Sequence, residues 1–385
     1  MTTPTCLIEF KNNPENVVYA DSVATCVVQL ILPEKIIVDG VYILISGVGY
    51  AKKKQYSGRR RRQAKFECNQ VYLNERMIFI NTRGTILTSG THIYEFPCRF
   101  PSNLPTSCEG NIGYKRYTTT FTLKLPIDSY NFVVPFTVIR PIDLNTMPHL
   151  RQPIYQQYED YSLCHMLFCC SYAFVQYSIE IPVGGYVPGQ NINIKIKVTK
   201  SENQTIREFV AELFKIIDYK MTETGLFVMF PDTIHVNESF LLGTDKVDAS
   251  EISQEGTVHL NIRVPAVPPT DLHPDVVIKD QYILQVSANG GSHSLDLQKF
   301  KIPIIIGSYP LQDAPSPLPS NSMQSNGLAL DDSASVSPSA PSFPENLSDA
   351  PSDEPPPTYE EANYLNDGSF KPKYPSFKRK TSYSN

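Results

Sequence analysis

The stretch GTHIYEFPCRFPSNLPTSCEGNIGYKRYTTTFTL, residues 90–123, decides the fold of this chain of 385 residues. Over residues 114–125 apolar or aromatic side chains alternate with polar ones, which is typical of a half-buried β-strand. Pro105 falls at a strand end, where its missing N–H group removes no ladder hydrogen bond. Gly110 and Gly113 flank a tight turn, for which we expect positive φ. The stretch therefore predicts two strands joined by a structural corner that needs no ligand.

Short alternating segments continue on both sides of this stretch. Many short strands separated by turns rich in Pro and Gly indicate an antiparallel β-sandwich, which we place at residues 1–145. No stretch in it holds a 3.6-residue apolar period over a dozen residues. The further predicted strands of this domain are CLIEF (6–10), ATCVVQLILP (24–33), GVYILISGVGYA (40–51), ERMIFINT (75–82) and FVVPFTVIRPIDL (132–144).

The second half repeats this style after a break. NTMPHLRQPIYQQYEDYSLC, residues 145–164, is polar and aromatic, and residues 146–165 are predicted to be an interdomain linker. Residues 166–307 then form a second predicted sandwich of similar size, in which Ile and Val alternate with Asn and Lys over 191–198. Its other strands are predicted in REFVAELFKIIDYKM (207–221), TVHLNIRVPAV (257–267), QYILQVSANG (281–290) and LQKFKIPIIIG (297–307).

Residues 308–385 have a different composition. Thirteen of the 32 prolines lie in the last 77 residues, among many Ser, Asn and Asp and few large aliphatic residues. Such a segment cannot bury enough apolar surface to offset the entropy lost on folding. We therefore predict a disordered tail.

Composition excludes several function classes. A formal net charge of -5 argues against nucleic-acid binding. The N-terminus has no secretory pattern, and no apolar run approaches the roughly 18–20 residues of a membrane span. The seven His are scattered, and neither G-x-S-x-G nor a P-loop occurs. We expect a cytoplasmic protein that is not an enzyme and uses no cofactor.

The eight cysteines contain no C-x-x-C pair. Their only concentration is Cys164, Cys169 and Cys170, with His165 beside them. We expect reduced thiols and no metal, since no second cluster follows at zinc-site spacing. Acylation of the adjacent Cys169 and Cys170 is an open alternative.

Three motifs carry a family resemblance. LPTSCEGNIG, residues 104–113, resembles the LP-x-S-x-E-G-x-x-G signature of arrestins, and GGYVPGQNINIKIKV (184–198) and KIPIIIG (301–307) are similar to motifs of the arrestin C-domain. With its tail the chain is similar to the α-arrestins, also called arrestin domain-containing proteins. The resemblance implies an all-β fold: two tandem arrestin-like, immunoglobulin-like sandwiches joined by a hinge, with concave faces available to cargo. Visual and β-arrestins sense receptor phosphates through a buried polar network near the hinge. α-Arrestins generally lack the residues of that network, so the resemblance implies no phosphate sensor.

The tail contains DEPPPTYEEANY, residues 353–364, with Pro356, Pro357 and Tyr359 in the pattern P-P-x-Y. WW domains bind such peptides in grooves between aromatic rings, because polyproline geometry lowers the ordering cost. After an arrestin-like body, the motif implies WW-domain HECT ubiquitin ligases as partners. Only one complete copy is present, since KPKYPSF (371–377) has a single proline before its tyrosine.

A second tail motif lies upstream. Pro338, Ser339, Ala340 and Pro341 match the P-[ST]-A-P peptide recognised by the UEV domain of ESCRT-I. Chance occurrence in a tail rich in Pro, Ser and Ala is the competing interpretation.

One strongly basic patch lies in the first domain. In KKKQYSGRRRR, residues 52–62, seven of eleven residues are basic, and the patch is predicted to be a hairpin loop. A plain solvated loop and a contact with anionic lipid headgroups or phosphorylated cargo are both open; a nuclear-import signal is a weaker option. The candidate anion-binding residues are Lys52, Lys53, Lys54, Arg59, Arg60, Arg61 and Arg62.

Together these features predict an adaptor. The body would select a membrane receptor or transporter, and the tail would recruit the ligase and ESCRT-I, promoting ubiquitination, endocytosis and endosomal sorting. We expect a cytoplasmic protein that is peripheral at the plasma membrane and endosomes. The alternative is an arrestin-fold coat or scaffold subunit in vesicle trafficking that recruits no ligase.

Overall fold

The computed structural model describes residues 3–13, 15–56, 63–166, 169–202, 204–225, 228–290, 299–312 and 370–376. Within them the regular structure is β-strand, apart from two short 3-10 helices at Leu144–Thr146 and Pro148–Arg151. The predicted all-β fold class is confirmed. No helix in these ranges is long and apolar enough to cross a membrane.

The first sandwich follows the alternation seen in the sequence. One layer has the strand order β1-β3-β8 and the facing layer the order β6-β5-β10-β11-β2. Its strands are β1 (Thr5–Phe10), β2 (Val17–Tyr19), β3 (Ser22–Leu32), β4 (Ile36–Val38), β5 (Gly40–Tyr56), β6 (Gln63–Ile80), β7 (Thr85–Leu87), β8 (Gly90–Phe100), β9 (Cys108–Glu109), β10 (Gly113–Lys124) and β11 (Ser129–Ile139).

The core of this sandwich lies between its two layers. Tyr117, Phe121 and Leu123 of β10 alternate along the strand and are fully buried in this core. Phe121 lies 5.5 Å from Tyr94 between ring centroids, and Phe136 of β11 contacts Phe10 at 5.1 Å. Period-2 alternation on a sheet with one covered face produces this arrangement.

The second sandwich has the layers β12-β13-β15-β18 and β14-β20-β19-β16, with β17 paired to β16. The alternating isoleucines predicted for residues 191–198 are buried in its core. Its strands are β12 (Ile154–Met166), β13 (Cys169–Ile181), β14 (Gly185–Tyr186), β15 (Asn191–Lys200), β16 (Ile206–Thr224), β17 (Thr233–Asp248), β18 (Glu255–Arg263), β19 (Ile278–Gly290) and β20 (Phe300–Ile306).

The predicted linker at 146–165 needs correction. Residues from Ile154 onward form β12, which pairs antiparallel with β13, so the connection is shorter and consists mainly of the two 3-10 helices. The strand was missed because its half-buried face mixes Ile154 and Tyr158 with polar residues. Tyr158 stacks on Tyr177 of β13 with ring centroids 5.0 Å apart, which ties the strand to the core.

The two sandwiches share one continuous sheet. Beyond its pairing with β19, the end of β16 pairs antiparallel with β6 of the first sandwich, over Thr222–Thr224 and Lys65–Glu67. The hairpin of β5 and β6 extends past β10 to make this contact. The relative position of the sandwiches is therefore fixed in part by backbone hydrogen bonds.

The corner at residues 104–113 is present, but its glycines act differently from the expectation. Neither Gly110 nor Gly113 has a positive φ among the described residues. A Cβ on Gly110 would overlap the hydroxyl of Tyr219, and one on Gly113 would overlap the Cβ of Ala51. Both glycines are needed for close packing, Gly110 against the second sandwich and Gly113 against β5 of the first.

Candidate functional site at the junction of the sandwiches

The basic patch lies at the junction. Lys52, Lys53 and Lys54 occupy the last part of β5, where Lys52 and Lys54 are exposed and Lys53 is half-buried. Arg59, Arg60, Arg61 and Arg62 lie outside the described residues. The positive charge of the described part projects from the hairpin that reaches the second sandwich.

An exposed apolar turn lies next to this hairpin. The strand β16 pairs with Lys65–Glu67 of β6 up to Thr224, and the turn to β17 begins directly afterwards. In that turn the side chains of Met229 and Phe230 are 84% and 77% exposed. Sequence analysis did not single out this turn, although the sequence GLFVMF (225–230) is strongly apolar. Basic and apolar groups are therefore neighbours on two adjacent hairpins.

Both tail motifs lie outside the described residues. The first comprises Pro338, Ser339, Ala340 and Pro341, and the second comprises Pro356, Pro357 and Tyr359. So do the side chains around Cys169 and Cys170. Among the residues that the structure describes, no group of three His, Cys, Asp or Glu side chains is positioned to hold a metal ion.

Buried charges connect the two sandwiches. Lys115 of β10, with a fully buried side chain, contacts the carboxylates of Asp271 and Asp280 in the second sandwich, the latter at 2.8 Å. Lys215 of β16 lies 3.0 Å from Asp280. The Cys108 thiol donates to Asp280 Oδ1 over 3.0 Å, and Lys215 Nζ donates to its sulfur over 3.4 Å. We call these five residues the charge cluster.

The charges in the cluster compensate one another. Burial raises the pKa of Asp280, but Lys115 and Lys215 outweigh it and hold the pKa below its ordinary value. Burial lowers the pKa of both lysines, and the carboxylates reverse this shift. For Asp271 burial prevails over Lys115, and its pKa is raised. Two ammonium groups therefore face two carboxyl groups in a region from which water is excluded.

Sequence analysis did not predict this buried polar network at the junction. The sequence contained a signal for it. Lys115 is in phase with the buried residues of β10, Lys215 with Leu213 and Ile217 in β16, and Asp280 with Tyr282 in β19. A charge in phase with the core of a strand needs a buried partner.

The corner at 104–113 supports the cluster from the first sandwich. Tyr117 donates its hydroxyl hydrogen to the carbonyl of Pro105 over 2.7 Å. The N–H of Asn111 donates to Glu238 of β17 over 2.9 Å, and Tyr219 donates to the same carboxylate. The corner is thus structural, as predicted, and it binds the two sandwiches to each other as well as supporting the first.

A short segment of the tail packs against the body. Residues 370–376, FKPKYPS, lie along the first sandwich, and the Phe370 side chain is only 9% exposed. The N–H of Lys373 donates to Thr137 Oγ1 over 3.1 Å, and the hydroxyl of Tyr374 donates to the carbonyl of Ser107 over 2.8 Å. We call these residues the docked segment. The prediction of a disordered tail does not hold for them.

Comparison with known proteins agrees with this architecture. Residues 6–145 match the family model described as Arrestin (or S-antigen), N-terminal domain, and residues 173–311 match the corresponding C-terminal domain. "Arrestin domain-containing protein 17" of Caenorhabditis elegans is 26% identical over 231 residues, covering 58% of this chain and 50% of that protein. Human "Arrestin domain-containing protein 1" is 26% identical over 267 residues, covering 66% and 54%.

This chain spans about half the length of both relatives. The two domain models match in order, together span most of the chain, and coincide with the two observed sandwiches. The chain therefore belongs to the arrestin family, in its α-arrestin branch.

Proposed function

We propose that this protein is a non-catalytic adaptor that links membrane-protein cargo to WW-domain HECT ubiquitin ligases. The proposal is carried by one combination: tandem arrestin sandwiches in the same chain as the P-P-x-Y motif of Pro356, Pro357 and Tyr359. The body selects a receptor or transporter, and the tail brings the ligase to it. Tethering turns a bimolecular encounter into an intramolecular one and so raises the effective concentration of the ligase at cargo lysines.

The ligase assignment is tested with a pair of matched variants. Tyr359→Ala removes the side chain that fills the second pocket of a WW domain, whereas Thr358→Ala changes the position that P-P-x-Y leaves open. In a pulldown with the full chain, we expect Tyr359→Ala to lose HECT ligases and Thr358→Ala to keep them, with cargo retained by both. Equal ligase recovery from the two variants would rule out this motif and favour the coat or scaffold function.

We assign Pro338, Ser339, Ala340 and Pro341 to ESCRT-I recruitment. Ubiquitination and ESCRT sorting act in sequence on membrane cargo, so both motifs serve one pathway when they share a tail. The expected result is loss of UEV-domain binding in Pro341→Ala with unchanged WW-domain binding.

We further assign the basic hairpin to an anionic membrane surface. Its support is the exposure of Met229 and Phe230 in the turn after β16, the strand that pairs with β6 of the same hairpin, because apolar side chains near basic ones suit an interface of acyl chains and acidic headgroups. Each basic residue close to such a surface contributes about 1 kcal/mol. Arrival at the plasma membrane and endosomes follows from this contact and from cargo.

Liposome flotation tests the membrane contact. We expect the variant with Arg59, Arg60, Arg61 and Arg62 changed to Gln to float poorly with anionic vesicles. We expect Phe230→Ser to reduce flotation without removing the preference for acidic lipid. A matched control, Tyr155→Ser, changes a side chain that is 64% exposed on the second sandwich. Flotation of the Arg variant equal to that of the unmodified protein would refute the assignment.

A further inference from the structure

The docked segment occupies a groove beside the charge cluster. Ser107, Arg116 and Thr137 of the first sandwich contact the segment, and the charge of Asp280 in the second sandwich contributes to raising the pKa of Tyr374. We propose that this groove is a binding site for the unmodified docked segment and that Tyr374 is a phosphorylation site whose modification expels it. This inference goes beyond the proposed function, because it concerns the body and its own tail and needs no ligase.

Phe370 is the first anchor. Its ring is buried, although the next residue, Lys371, is exposed. The guanidinium carbon of Arg116 lies 6.0 Å from the ring centroid, and Arg116 is held in place by two hydrogen bonds to Glu109, at 2.9 and 2.8 Å. An aromatic side chain removed from water against a fixed surface is the usual anchor of a peptide ligand.

Tyr374 is the second anchor, four residues further on. Its hydroxyl group donates a hydrogen bond to the carbonyl of Ser107, so the docked state needs the phenolic hydrogen. Between the anchors, the N–H of Lys373 bonds the buried hydroxyl of Thr137. The groove therefore recognises a backbone position and two aromatic side chains, in the order Phe-x-x-x-Tyr.

The surroundings of the Tyr374 hydroxyl oppose negative charge. Burial raises the pKa of Tyr374 well above its ordinary value, and Cys108, Asp280, Glu109 and Asp271 raise it further. The nearby ammonium groups of Lys115 and Lys215 are already paired with the two aspartates. A phosphate would bring about 1.5 to 2 negative charges to a compensated cluster. Its bulk would also not fit between the phenol oxygen and a carbonyl 2.8 Å away.

The modification itself is an ordinary phosphoryl transfer. A tyrosine kinase would form a bond between the Tyr374 oxygen and the γ-phosphorus of ATP, with cleavage of the bond to the β-phosphate oxygen. ADP leaves and the phenolic proton is released. Because the hydroxyl is hydrogen-bonded to the carbonyl of Ser107 when the segment is docked, the kinase acts on the open state. Phosphorylation then prevents redocking and shifts the population toward the open state.

Hydrogen exchange on the full chain tests the site. We expect the backbone N–H of Lys373, which bonds Thr137 Oγ1, to be protected in the unmodified protein and in Lys371→Ala, whose side chain is exposed. Phe370→Ala should lose this protection. Tyr374→Phe, which keeps the ring but loses one hydrogen bond, should lower protection about tenfold. Exchange at the intrinsic rate in the unmodified protein would overturn the binding site.

A second measurement tests the modification. Full-length protein carrying phosphotyrosine at position 374 alone is prepared by ligating a synthetic C-terminal peptide. We expect its Lys373 N–H to exchange as fast as that of Phe370→Ala. In parallel, a labelled peptide of residues 368–378 should bind the vacated groove of Phe370→Ala, and its phosphotyrosine form should bind at least tenfold more weakly. Retained protection after phosphorylation, or equal binding of the two peptides, would overturn the assignment.

Discussion

The cores of the two sandwiches and the junction between them are built by different physics. Each core is a continuous set of buried apolar and aromatic side chains, such as Phe121 in the first and Phe209 in the second. The junction joins a small apolar cluster around Phe66 and Met221 to four buried charges. Apolar packing is non-directional and is stabilised by many different neighbours, whereas a buried charge is stable only beside a correctly placed opposite charge. The cores thus determine the fold, and the junction determines one arrangement of the two domains.

The largest effect is expected in a core. Phe121→Ala removes a fully buried ring that lies close to Tyr94, and we expect the free energy of unfolding to fall by about 3–5 kcal/mol. Urea unfolding followed by circular dichroism measures it. The control is Ile127→Ala, at a fully exposed side chain, with an expected change within about 0.5 kcal/mol. Similar results for the two variants would contradict the assignment of this core.

The next effect belongs to the junction. Asp280→Asn keeps the volume of the side chain but leaves Lys215 and Lys115 with one carboxylate between them. We expect a loss of about 3 kcal/mol in the free energy of unfolding, because a buried ammonium group is left without its partner. Adding Lys215→Met should recover part of this loss. No such recovery is expected for a cavity in an apolar core, which distinguishes the two regions.

A matched control exists on a neighbouring strand. Asp218 pairs with His235, whose side chain is 60% exposed, so Asp218→Asn should change the free energy of unfolding by less than about 1 kcal/mol. If Asp280→Asn were as mild as Asp218→Asn, the charge cluster would not hold the domains in the way described.

The smallest effect is a pH dependence. The carboxylates raise the pKa of Lys115 above its ordinary value of 10.5, despite burial, so the folded state holds that proton more tightly than the unfolded state. The resulting stabilisation is complete below about pH 10.5 and is lost as the pH rises through the folded-state pKa, by at most about 1.4 kcal/mol per pH unit. The free energy of unfolding, measured in urea from about pH 9 to 11.5, should therefore fall more steeply for the unmodified protein than for Lys115→Met. A parallel decline in the unmodified protein and in Lys115→Met would show that Lys115 does not carry the effect. The control is Lys11→Met, which changes an exposed lysine and should show the same pH dependence as the unmodified protein.

Sequence patterns predicted the sandwiches well because period-2 alternation is a local property. The strand at Gly113–Lys124 and the alternating isoleucines of β15 were confirmed, and so was the family. The same reasoning missed β12, whose half-buried face contains polar residues, and assigned the wrong role to Gly110. That glycine is needed because Tyr219, more than a hundred residues away, packs against it.

The junction was harder to predict because its partners are distant in sequence. Lys115 and Asp280 are separated by 165 positions, so no local spacing links them. Each is nevertheless in phase with buried residues of its own strand, and that anomaly alone indicates a hidden counter-charge. The docked segment gave a weaker signal still. Phe370 and Tyr374 are two aromatic residues in a polar, proline-rich tail, and only the groove that receives them gives their spacing a meaning.

The short ladder between β6 and β16 has a mechanical consequence. It comprises three residue pairs, whereas the ladders of β5 with β10 and of β16 with β17 comprise twelve and fifteen. We expect a tensile load that separates the two sandwiches to open this short ladder before either of the two long ones.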